Sequence, residues 1–364
     1  MAKYEVLVYS KDGLPLGNIF ALCEEFSWEK IRNDAGSVSF NLKLQRYQEY
    51  LEEVGFGDEP INFMEVGRSD IRVKRNGQWL IGTNVVKFDY SGQDTAVTMK
   101  VTCTGYLNYY KKRYIDIDYD NTAQEDIIWG VIEACNLAYG GDYGITQGEH
   151  IGESILRDRH QVRKEVKSFI QQMTQVIGGV DVEITADKKL NTFIAQGTYR
   201  PEVRLNYPGN IESFGFSRSV ENVSNYIYGV GSGNGEDAVQ AQSEDVPSEL
   251  YLYRREQIAT YNSIVDEDTL QQNIDALKHF TSNPIELPTI SLQANVLDLS
   301  TIGVGDTVTV RMTGNKLLAH INGSYRIESI LCNVNAQGDE MVDLTFDNLD
   351  IDEIIALQEG NDEA

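Results

Sequence analysis

A nearly uninterrupted series of short strands between Phe26 and Arg113 constrains the fold of this chain more than any other feature. The series alternates apolar with polar residues, as at Val38, Phe40, Leu42 and Leu44. Such alternation is typical of strands with one buried face. One short helical face interrupts it, at Tyr47, Tyr50, Leu51 and Val54. The region therefore predicts a small antiparallel barrel or sandwich with at most one helix, and it contains no recognisable catalytic motif.

Turn motifs divide the N-terminal part of the chain into hairpins. Asp12-Gly13 separates the first two strands, and Asn76-Gly77 separates Ile71–Lys74 from Trp79–Ile81. Asp-Gly and Asn-Gly supply the positive φ angles that two-residue hairpin turns require. A third turn is predicted at Ser91–Asp94. These motifs predict antiparallel pairing between strands that follow each other in sequence.

Beyond Arg113 the apolar period changes from two residues to 3.6, which indicates amphipathic helices. Thr122 and Glu125 have the spacing of a capping box. The helical face after it consists of Ile127, Ile128, Val131, Ile132 and Cys135. A second helix is predicted to end at Gly178-Gly179 and to bury Val162, Val166, Phe169, Ile170, Met173 and Ile177. A third helix is predicted to stop near Pro284 and carries Leu270, Ile274, Leu277 and Phe280. Strands are predicted at 180–195, at 211–230 and at 289–348.

Composition excludes several classes of protein. The formal net charge of −25 argues against a general affinity for nucleic acid or anionic lipid. The 364 residues suffice for two or three domains. The cysteines form no Cys-x-x-Cys pair, and we expect reduced, buried thiols at Cys23, Cys103, Cys135 and Cys332. No apolar run reaches the length of a membrane helix, and the N-terminus begins as a strand rather than as a signal peptide.

A glycine-rich segment from Gly229 to Gly235 invites comparison with a phosphate-binding loop. A dinucleotide site needs a helix directly after its glycines, so that the helix N-terminus faces the pyrophosphate. Here Glu236 and a polar stretch to Ser248 follow, and no Gly-Lys-Ser/Thr is present. The segment is therefore predicted to be a mobile glycine loop, and no nucleotide or other cofactor is assigned.

Alternating carboxylates at Asp116, Asp118 and Asp120 resemble the start of a calcium loop. A helix–loop–helix calcium site requires Gly at position six and Glu at position twelve, where this chain has Asn121 and Ile127. The same pattern describes the solvated face of a strand, so metal binding stays open and no metal ligand is assigned. The histidines are isolated and no Gly-x-Ser-x-Gly motif occurs, so no catalytic residue is assigned.

Basic residues gather at the predicted start of the second helix, at Arg157, Arg159, Arg163, Lys164 and Lys167. A second basic run is Lys111–Arg113. In so acidic a chain, such clusters either dock on acidic neighbours or DNA, or form a salt-bridged helix face. The sequence leaves both alternatives open. It contains no aromatic-rich basic stripe of the kind that stacks single-stranded nucleic acid.

Several landmarks follow one another in a fixed order along the chain. They are Trp28, the stretch Asn33–Leu42, the hairpin Ile71–Leu80, Gly82 and the stretch Val101–Arg113. Further on come the strand and glycine loop Asn225–Gly235 and the Gly-Asp strand Val304–Val310. In their order and spacing, over about residues 20–350, these landmarks resemble the tail hub family of long-tailed phages.

The resemblance implies an α+β, mostly β fold with two small antiparallel β-barrel or sandwich domains and an inserted helical α+β region. The first β domain would be residues 1–113, and the second would combine 198–235 with 285–350. The helical region would combine 114–197 with 236–284. Residues 351–364 would be a loose acidic tail.

The resemblance also implies partners. Members of this family form trimers on the tail axis, and with two β domains each, three subunits match a hexameric ring. A homotrimeric structural hub is therefore expected at the tail tip or baseplate of the virion, assembled in the host cytoplasm. Its expected neighbours are a ring of tail-tube or distal tail protein and the tip, fibre or tape-measure proteins. DNA would pass through the channel without specific binding.

Two other function classes stay open, a cell-wall or polysaccharide hydrolase of the tail tip and a carbohydrate-binding module. Many members of the family continue into a peptidase, lysin or receptor-binding region, whereas this chain stops at Ala364. We therefore expect no enzymatic activity. Turnover of wall polymer would favour the hydrolase, and sugar binding by a monomer would favour the binding module.

Overall fold

The computed structural model describes residues 2–93, 96–153, 155–175, 178–221, 223–233, 235–261, 264–293, 295–335 and 338–347. The chain divides into two compact units. Unit one comprises residues 1–214 and 289–364, and unit two comprises residues 215–288. Each unit contains a hydrophobic core.

The strands in the described part of the chain are β1 (Tyr4–Tyr9), β2 (Pro15–Asn18), β3 (Cys23–Ile31), β4 (Ser37–Lys43), β5 (Asp70–Arg75), β6 (Gln78–Gln93), β7 (Ala96–Gly105), β8 (Tyr114–Ala123), β9 (Thr146–Ile151), β10 (Leu156–Glu165), β11 (Asp181–Ile184), β12 (Lys189–Phe193), β13 (Tyr199–Tyr207), β14 (Ile211–Ser219), β15 (Tyr226–Val230), β16 (Gln240–Glu244), β17 (Glu256–Thr260), β18 (Ile285–Leu292), β19 (Thr307–Met312), β20 (Gly323–Val334) and β21 (Glu340–Asp347). The α-helices are α1 (Leu44–Glu53), α2 (Gln124–Leu137), α3 (Val166–Gln175), α4 (Val246–Leu252) and α5 (Glu267–Thr281). Short 3-10 helices cover Phe20–Leu22, Pro60–Asn62, Tyr106–Tyr110, Gly235–Asp237 and Lys316–Ile321.

A 13-stranded sheet forms the framework of unit one. Its main path runs β14-β18-β21-β20-β3-β4-β7-β6-β5-β1-β2, and β19 joins β13 to β20. Strand β3, from the N-terminal part of the chain, pairs antiparallel with β20, from the C-terminal part. In this ladder Phe26 lies opposite Val334 and Ile31 lies opposite Ser329. One continuous sheet therefore joins the two sequence-distant parts of unit one.

Alternating burial along the strands confirms the predicted one-faced pattern. In β4 Val38, Phe40 and Leu42 are buried, whereas the residues between them are only half-buried. Trp28 and Phe40 are among the largest fully buried side chains. Large aromatic side chains contribute the most apolar area per residue, so these positions carry much of the free energy that holds the sheet to its core.

The first two predicted hairpins form at the predicted turns. Gly13 has φ 78°, and the pair Asn76 and Gly77 has φ 51° and 80°. Two successive positive φ angles suit the right-handed twist of a two-residue hairpin. Both turns are therefore confirmed in place, and the two-residue turn type is confirmed at Asn76-Gly77, since Asp12 is not among the residues with positive φ.

The third predicted turn is displaced. Ser91 lies opposite Thr98 and Gly92 opposite Val97 in the β6–β7 ladder, so both belong to paired strands. A Cβ atom at Gly92 would lie 2.8 Å from the carbonyl oxygen of Ala96. The glycine thus permits close strand pairing rather than a turn, and Asp94 lies outside the described residues.

Helices α2 and α3 pack over a second part of the core of unit one. Helix α2 begins at Gln124, and its N-cap residue Ala123 makes no side-chain capping hydrogen bond. The predicted capping box is therefore wrong. Thr122 still belongs to β8, where its hydroxyl donates to the carbonyl of Asp120 at 2.8 Å. Strand geometry up to Ala123 leaves Thr122 too far from the first free N–H groups of the helix.

The second predicted helix begins later than expected. Residues 156–165 form β10, which pairs with β8 so that Gln161 lies opposite Ile117. Val162 is 82% exposed, whereas Val166 at the start of α3 is fully buried. Strand pairing has overridden the helical period up to Glu165. Gly178 follows α3, and Ile177 lies outside the described residues.

Unit two contains a three-stranded sheet, and helix α5 packs against one face of this sheet. Strand β15 lies between β16 and β17. Helix α5 begins after Asp266, whose carboxylate accepts from the N–H of Thr269 at 2.9 Å. The core between sheet and helix consists of Ile227, Ala241, Ala259, Leu270 and Ile274. The third predicted helix is confirmed, but the predicted polar stretch to Ser248 contains β16 and the start of α4.

The predicted fold class, α+β with mostly strands, is confirmed. The sheets of the described residues stay open, with no closed barrel among them. In the same part of the chain, no helix is both long and apolar enough to cross a membrane. The domain limits at 1–113, 114–197 with 236–284, 198–235 with 285–350, and 351–364 stay a prediction.

Candidate assembly surfaces

The alternating aspartates lie on the exposed face of β8. Asp116 accepts from the backbone N–H of Arg163 at 2.8 Å. The two ring nitrogens of His160 lie 2.7 Å from Asp118 and 3.2 Å from Asp120. The hydrogen bond to Asp118 raises the pKa of His160 above its ordinary value. These carboxylates therefore accept hydrogen bonds across the β8–β10 pair, as the solvated-face interpretation predicts.

The described residues contain no group of three or more His, Cys, Asp or Glu side chains placed to hold a metal ion. His150, another isolated histidine, shares a hydrogen bond of 2.8 Å with the hydroxyl of Thr192. It lies 3.9 Å from Glu125.

The predicted basic helix face is wrong, because most of its members lie on strand β10. Arg157 and Arg159 occupy the half-buried face of that strand. Arg157 donates to Gln124 at 3.1 Å and to the carbonyl of Gly178 at 2.9 Å. Burial lowers the pKa of Arg157 to about 10. These hydrogen bonds of Arg157 are thus made to groups of the protein itself.

Lys167, the last member of the basic cluster, is the exception. It lies on α3 and forms a 2.7 Å ion pair with Asp34. The cluster is thus split between a strand whose arginines donate to neutral groups and a helix residue in a salt bridge. The sequence could not show this, because it depends on where β10 ends and α3 begins.

The glycine loop closes on itself through backbone hydrogen bonds. Gly231 N–H donates to Val239 at 2.7 Å, and Val239 N–H donates to Ser232 at 3.0 Å. A Cβ atom at Gly233 would lie 2.6 Å from the Cα of Ala238, so glycine is required there. The 3-10 helix that follows covers only Gly235–Asp237. No α-helix begins at these glycines, which leaves the nucleotide interpretation without its structural basis. The predicted mobility of the loop stays a prediction.

A buried charge network at Asp181 connects three parts of unit one. Its carboxylate lies 2.8 Å from Arg32, which follows β3, and 2.6 Å from Arg326 of β20. Asn33 and the backbone N–H of Gln196 also donate to it. Burial alone would raise the pKa of Asp181, but the charges of the two arginines outweigh burial and lower it. This network joins β11 to the pair β3–β20.

A second buried network joins β1, β3 and β5 to β21. The carboxylate of Glu340 in β21 accepts two hydrogen bonds from Arg75, one from Nε and one from Nη2, each at 2.7 Å. The hydroxyl of Tyr4 also donates to Glu340, and it accepts from the indole of Trp28 at 3.1 Å. Burial raises the pKa of Tyr4, so the phenol stays protonated and donates to Glu340.

The Gly-Asp strand has a structural explanation. Gly197 and Gly305 both have positive φ, 92° and 88°, and a Cβ atom at Gly197 would lie 2.1 Å from the carbonyl carbon of Gly305. Asp306 is 3% exposed. Its carboxylate accepts from the N–H groups of Thr198 at 2.7 Å and Gly303 at 2.9 Å. The motif therefore serves a close backbone crossing in unit one.

An exposed apolar corner lies on unit two. We call Val246–Arg255, which comprises α4 and the residues after it, the α4 corner. Leu250 and Tyr253 are each 85% exposed, and Tyr251 is 72% exposed. Tyr253 has φ 62° and ψ 159°, a conformation that costs a non-glycine residue about 1–3 kcal/mol.

Buried Asn225 maintains this conformation. Its side chain donates to the carbonyl of Tyr253 at 2.9 Å and accepts from the N–H of Arg255 at 2.7 Å. It also donates to the hydroxyl of Ser248 in α4 at 3.2 Å. Asn225 is fully buried, and its hydrogen bonds hold the backbone of the α4 corner in this conformation.

An apolar groove lies on unit one beside α1. We call it the α1 groove; its volume is about 580 Å³, and its lining includes Tyr47, Leu51, Ile61, Met64, Phe88 and Tyr90. Ile61 is 52% and Tyr90 is 61% exposed. Its lining includes the acidic residue Glu65, and Glu52 and Glu59 are neighbours in sequence of the lining residues Leu51 and Pro60. Exposed apolar patches with a polar rim are typical of interaction sites.

With the fold established, the chain can be compared with known structures, and it has the fold of phage tail proteins. It is similar to a tail protein from Neisseria meningitidis, with a TM-score of 0.67 and 10% identity over 94% of this chain and 96% of that chain. It is also similar to the 43 kDa tail protein of prophage MuSo2 from Shewanella oneidensis, with a TM-score of 0.64 and 12% identity over 94% and 98% of the two chains.

Prophage tail protein gp18 from Listeria monocytogenes has the same fold, with a TM-score of 0.58 and 14% identity over 99% of this chain and 100% of that chain. No protein-family model matches this chain, and no curated protein matches it in sequence. The predicted resemblance to phage tail hub proteins is thus confirmed at the level of the fold.

Proposed function

We propose that this chain is a structural protein of a phage-type tail and forms the trimeric hub at its distal end. The observation that carries the proposal is the full-length match to tail proteins, in which nearly all of both chains is covered. A match over the whole of both chains supports a shared role better than a single shared domain would. Because one fold can host several functions, the position of the chain in a particle is the decisive test.

The sheet of unit one supports a load-carrying role in a ring. The β3–β20 ladder and the Asp181 network join its N-terminal and C-terminal parts into one body. We propose the domain limits given above, with two β domains per chain. Three copies would then present six β domains to a hexameric ring of tail-tube or distal tail protein. The opposite side of the trimer would contact the tip, fibre or tape-measure proteins.

Imaging the particle that contains this chain tests the proposal. We expect three copies around the tail axis of a virion, at the end of the tube, with a channel that DNA can pass. A different copy number, or a position away from the axis, would refute the hub. Assembly in the host cytoplasm implies that newly made chain is found there before it enters particles, which cell fractionation can follow.

The proposal includes no catalytic role. The carboxylates that the sequence singled out are engaged by His160 and by a backbone N–H of β10, an arrangement that suits a strand pair. Pure protein incubated with peptidoglycan or exopolysaccharide is expected to release nothing above buffer. Release that disappears on substitution of one Asp or Glu would establish a hydrolase instead, and sugar binding by a monomer would establish a carbohydrate-binding module.

The channel is proposed to let DNA slide without holding it. Each chain carries a net charge of −25, and like charge repels phosphate within about 8 Å at physiological salt. Arg157 and Arg159 donate hydrogen bonds to groups of the protein, so we do not expect these guanidinium groups to bind DNA. A titration with duplex DNA at low salt is expected to show no micromolar binding; binding with a steep salt slope would contradict this part of the proposal.

A further inference from the structure

We propose that the α4 corner of one copy inserts into the α1 groove of the next copy, and that this contact closes the ring. The inference rests on the proposed trimeric function and names the surfaces that form it. A three-fold ring is built from a heterologous contact, in which two different patches of each chain meet. The α4 corner and the α1 groove are two such patches, one convex and one concave.

The α4 corner has the composition of an interface centre. Tyrosine and arginine are enriched among the residues that dominate binding energies, and the corner presents Tyr251, Tyr253 and Arg254. Arg254 stacks on the ring of Tyr226 at 3.4 Å, so its guanidinium is already oriented. The buried bonds of Asn225 fix the backbone. A partner therefore meets a preorganised surface and gains affinity, because less conformational entropy is lost on binding.

The α1 groove has the size and lining that such a surface requires. Its volume of about 580 Å³ lies within the range of about 300–1,000 Å³ that is usual for binding pockets. Leu51 and Met64 are buried beneath it, and Ile61 and Tyr90 remain exposed at its mouth. Leu250 and Tyr251 of an incoming corner would bury the apolar surface at that mouth. Burial of apolar surface is the main source of association free energy.

Charge complementarity favours a second copy over an acidic partner. The α4 corner ends in Arg254 and Arg255, both exposed. The lining of the α1 groove contains Glu65. In a chain with a net charge of −25, Arg255 and Arg254, which is paired with Glu256 at 2.8 Å, would meet Glu65, and this local attraction would specify which patches meet.

The test uses the full chain and sedimentation over a concentration series. Leu250→Asp changes the α4 corner, and Ile61→Asp changes the α1 groove. Leu317→Asp is the matched control, because Leu317 is 79% exposed and lies on a 3-10 helix outside both surfaces. All three side chains are half or more exposed, so folding is preserved, and circular dichroism checks this. Each interface variant is expected to raise the half-assembly concentration at least about tenfold, and the control to leave it within about twofold.

Mixing the two interface variants gives a sharper result. The Leu250→Asp chain keeps its groove, and the Ile61→Asp chain keeps its corner. A heterologous contact therefore predicts a one-to-one dimer in the mixture, while each variant alone stays monomeric. Trimers that survive both substitutions would overturn this inference and leave the proposed hub intact. A corner variant that still forms trimers but no longer binds a separate ring protein would overturn it too, and would assign the corner to that partner.

The inference and the proposed function can fail separately. A wild-type chain that stays monomeric up to its solubility limit overturns the corner-in-groove contact as the source of the ring. Imaging of the particle then decides the proposed function on its own, by copy number and position on the tail axis.

Discussion

Replacing Asp181 by Asn tests how the sequence-distant parts of unit one are held together. The change keeps the shape of the side chain and removes its charge. Arg326 is 1% exposed and lies 2.6 Å from the Asp181 carboxylate, so its charge would be left buried. Removing one partner of a buried ion pair costs about 3–5 kcal/mol. Arg32 keeps Glu328 and Asp347 as partners, so we expect the lower end, about 3 kcal/mol.

That loss is measurable by chemical and thermal unfolding. For a unit of about 290 residues, we expect the midpoint to fall by roughly 5 °C. Asp58→Asn, at an exposed position, is the control and is expected to cost less than about 0.5 kcal/mol. Adding Arg326→Leu to Asp181→Asn is expected to recover part of the loss, because no uncompensated charge then remains buried. Additive losses, or a loss below about 1 kcal/mol for Asp181→Asn, would refute the reasoning.

The pH dependence of the same variant has a definite sign. The arginines outweigh burial and lower the pKa of Asp181 in the folded protein. A carboxyl with a lowered folded pKa stabilises the protein above its unfolded pKa of about 3.9, and this stabilisation is lost as the pH falls toward the folded value. The difference between wild type and Asp181→Asn is therefore expected to be full at neutral pH and to shrink below about pH 4. A difference that grows on acidification would contradict the assigned network.

Three further results are expected from the described contacts. Gly82→Ala should lower the free energy of unfolding by about 1–3 kcal/mol, because the added Cβ would lie 2.4 Å from the Tyr106 ring; an unchanged unfolding midpoint would show that the ring can move aside. Asp118→Asn should lower the raised pKa of His160 toward its ordinary value, since the hydrogen bond to Asp118 is the main cause of the shift; proton NMR titration measures it, and an unchanged pKa would reject that cause. Cys103, which is fully buried with a thiol pKa raised by burial, should react with iodoacetamide only under denaturing conditions, and rapid labelling of native protein would contradict its placement.

Local patterns predicted the elements whose determinants lie within a few residues. Asn76-Gly77 carries its own φ preference, so the hairpin was predictable. The apolar periods of α2 and α5 were predictable for the same reason. The predictions failed where pairing with another strand determines whether a segment forms a strand or a helix. Val162 continues the helical period of α3, yet β8 is available as a partner and draws the segment into β10. Single-sequence periodicity contains no information on such a partner.

The candidate surfaces were less predictable than the fold. From the sequence alone, Leu250 and Tyr253 cannot be distinguished from core residues, because a run of large apolar residues normally faces the interior. The backbone at Tyr253 is held by Asn225, which lies 28 residues before it in the chain. Likewise Asp181 pairs with Arg32 across 149 residues. Contacts at such separations depend on the finished topology, and only the structure could reveal them.

The acidity of the chain makes unlike surfaces the more effective route to assembly. Two copies, each with a net charge of −25, repel each other over about one screening length, and an interface between identical acidic patches would concentrate that repulsion. The proposed heterologous contact would avoid this, because Arg254 and Arg255 of one patch would meet the groove that contains Glu65 on the other. Apolar burial then supplies the affinity, and the charges determine which patches meet.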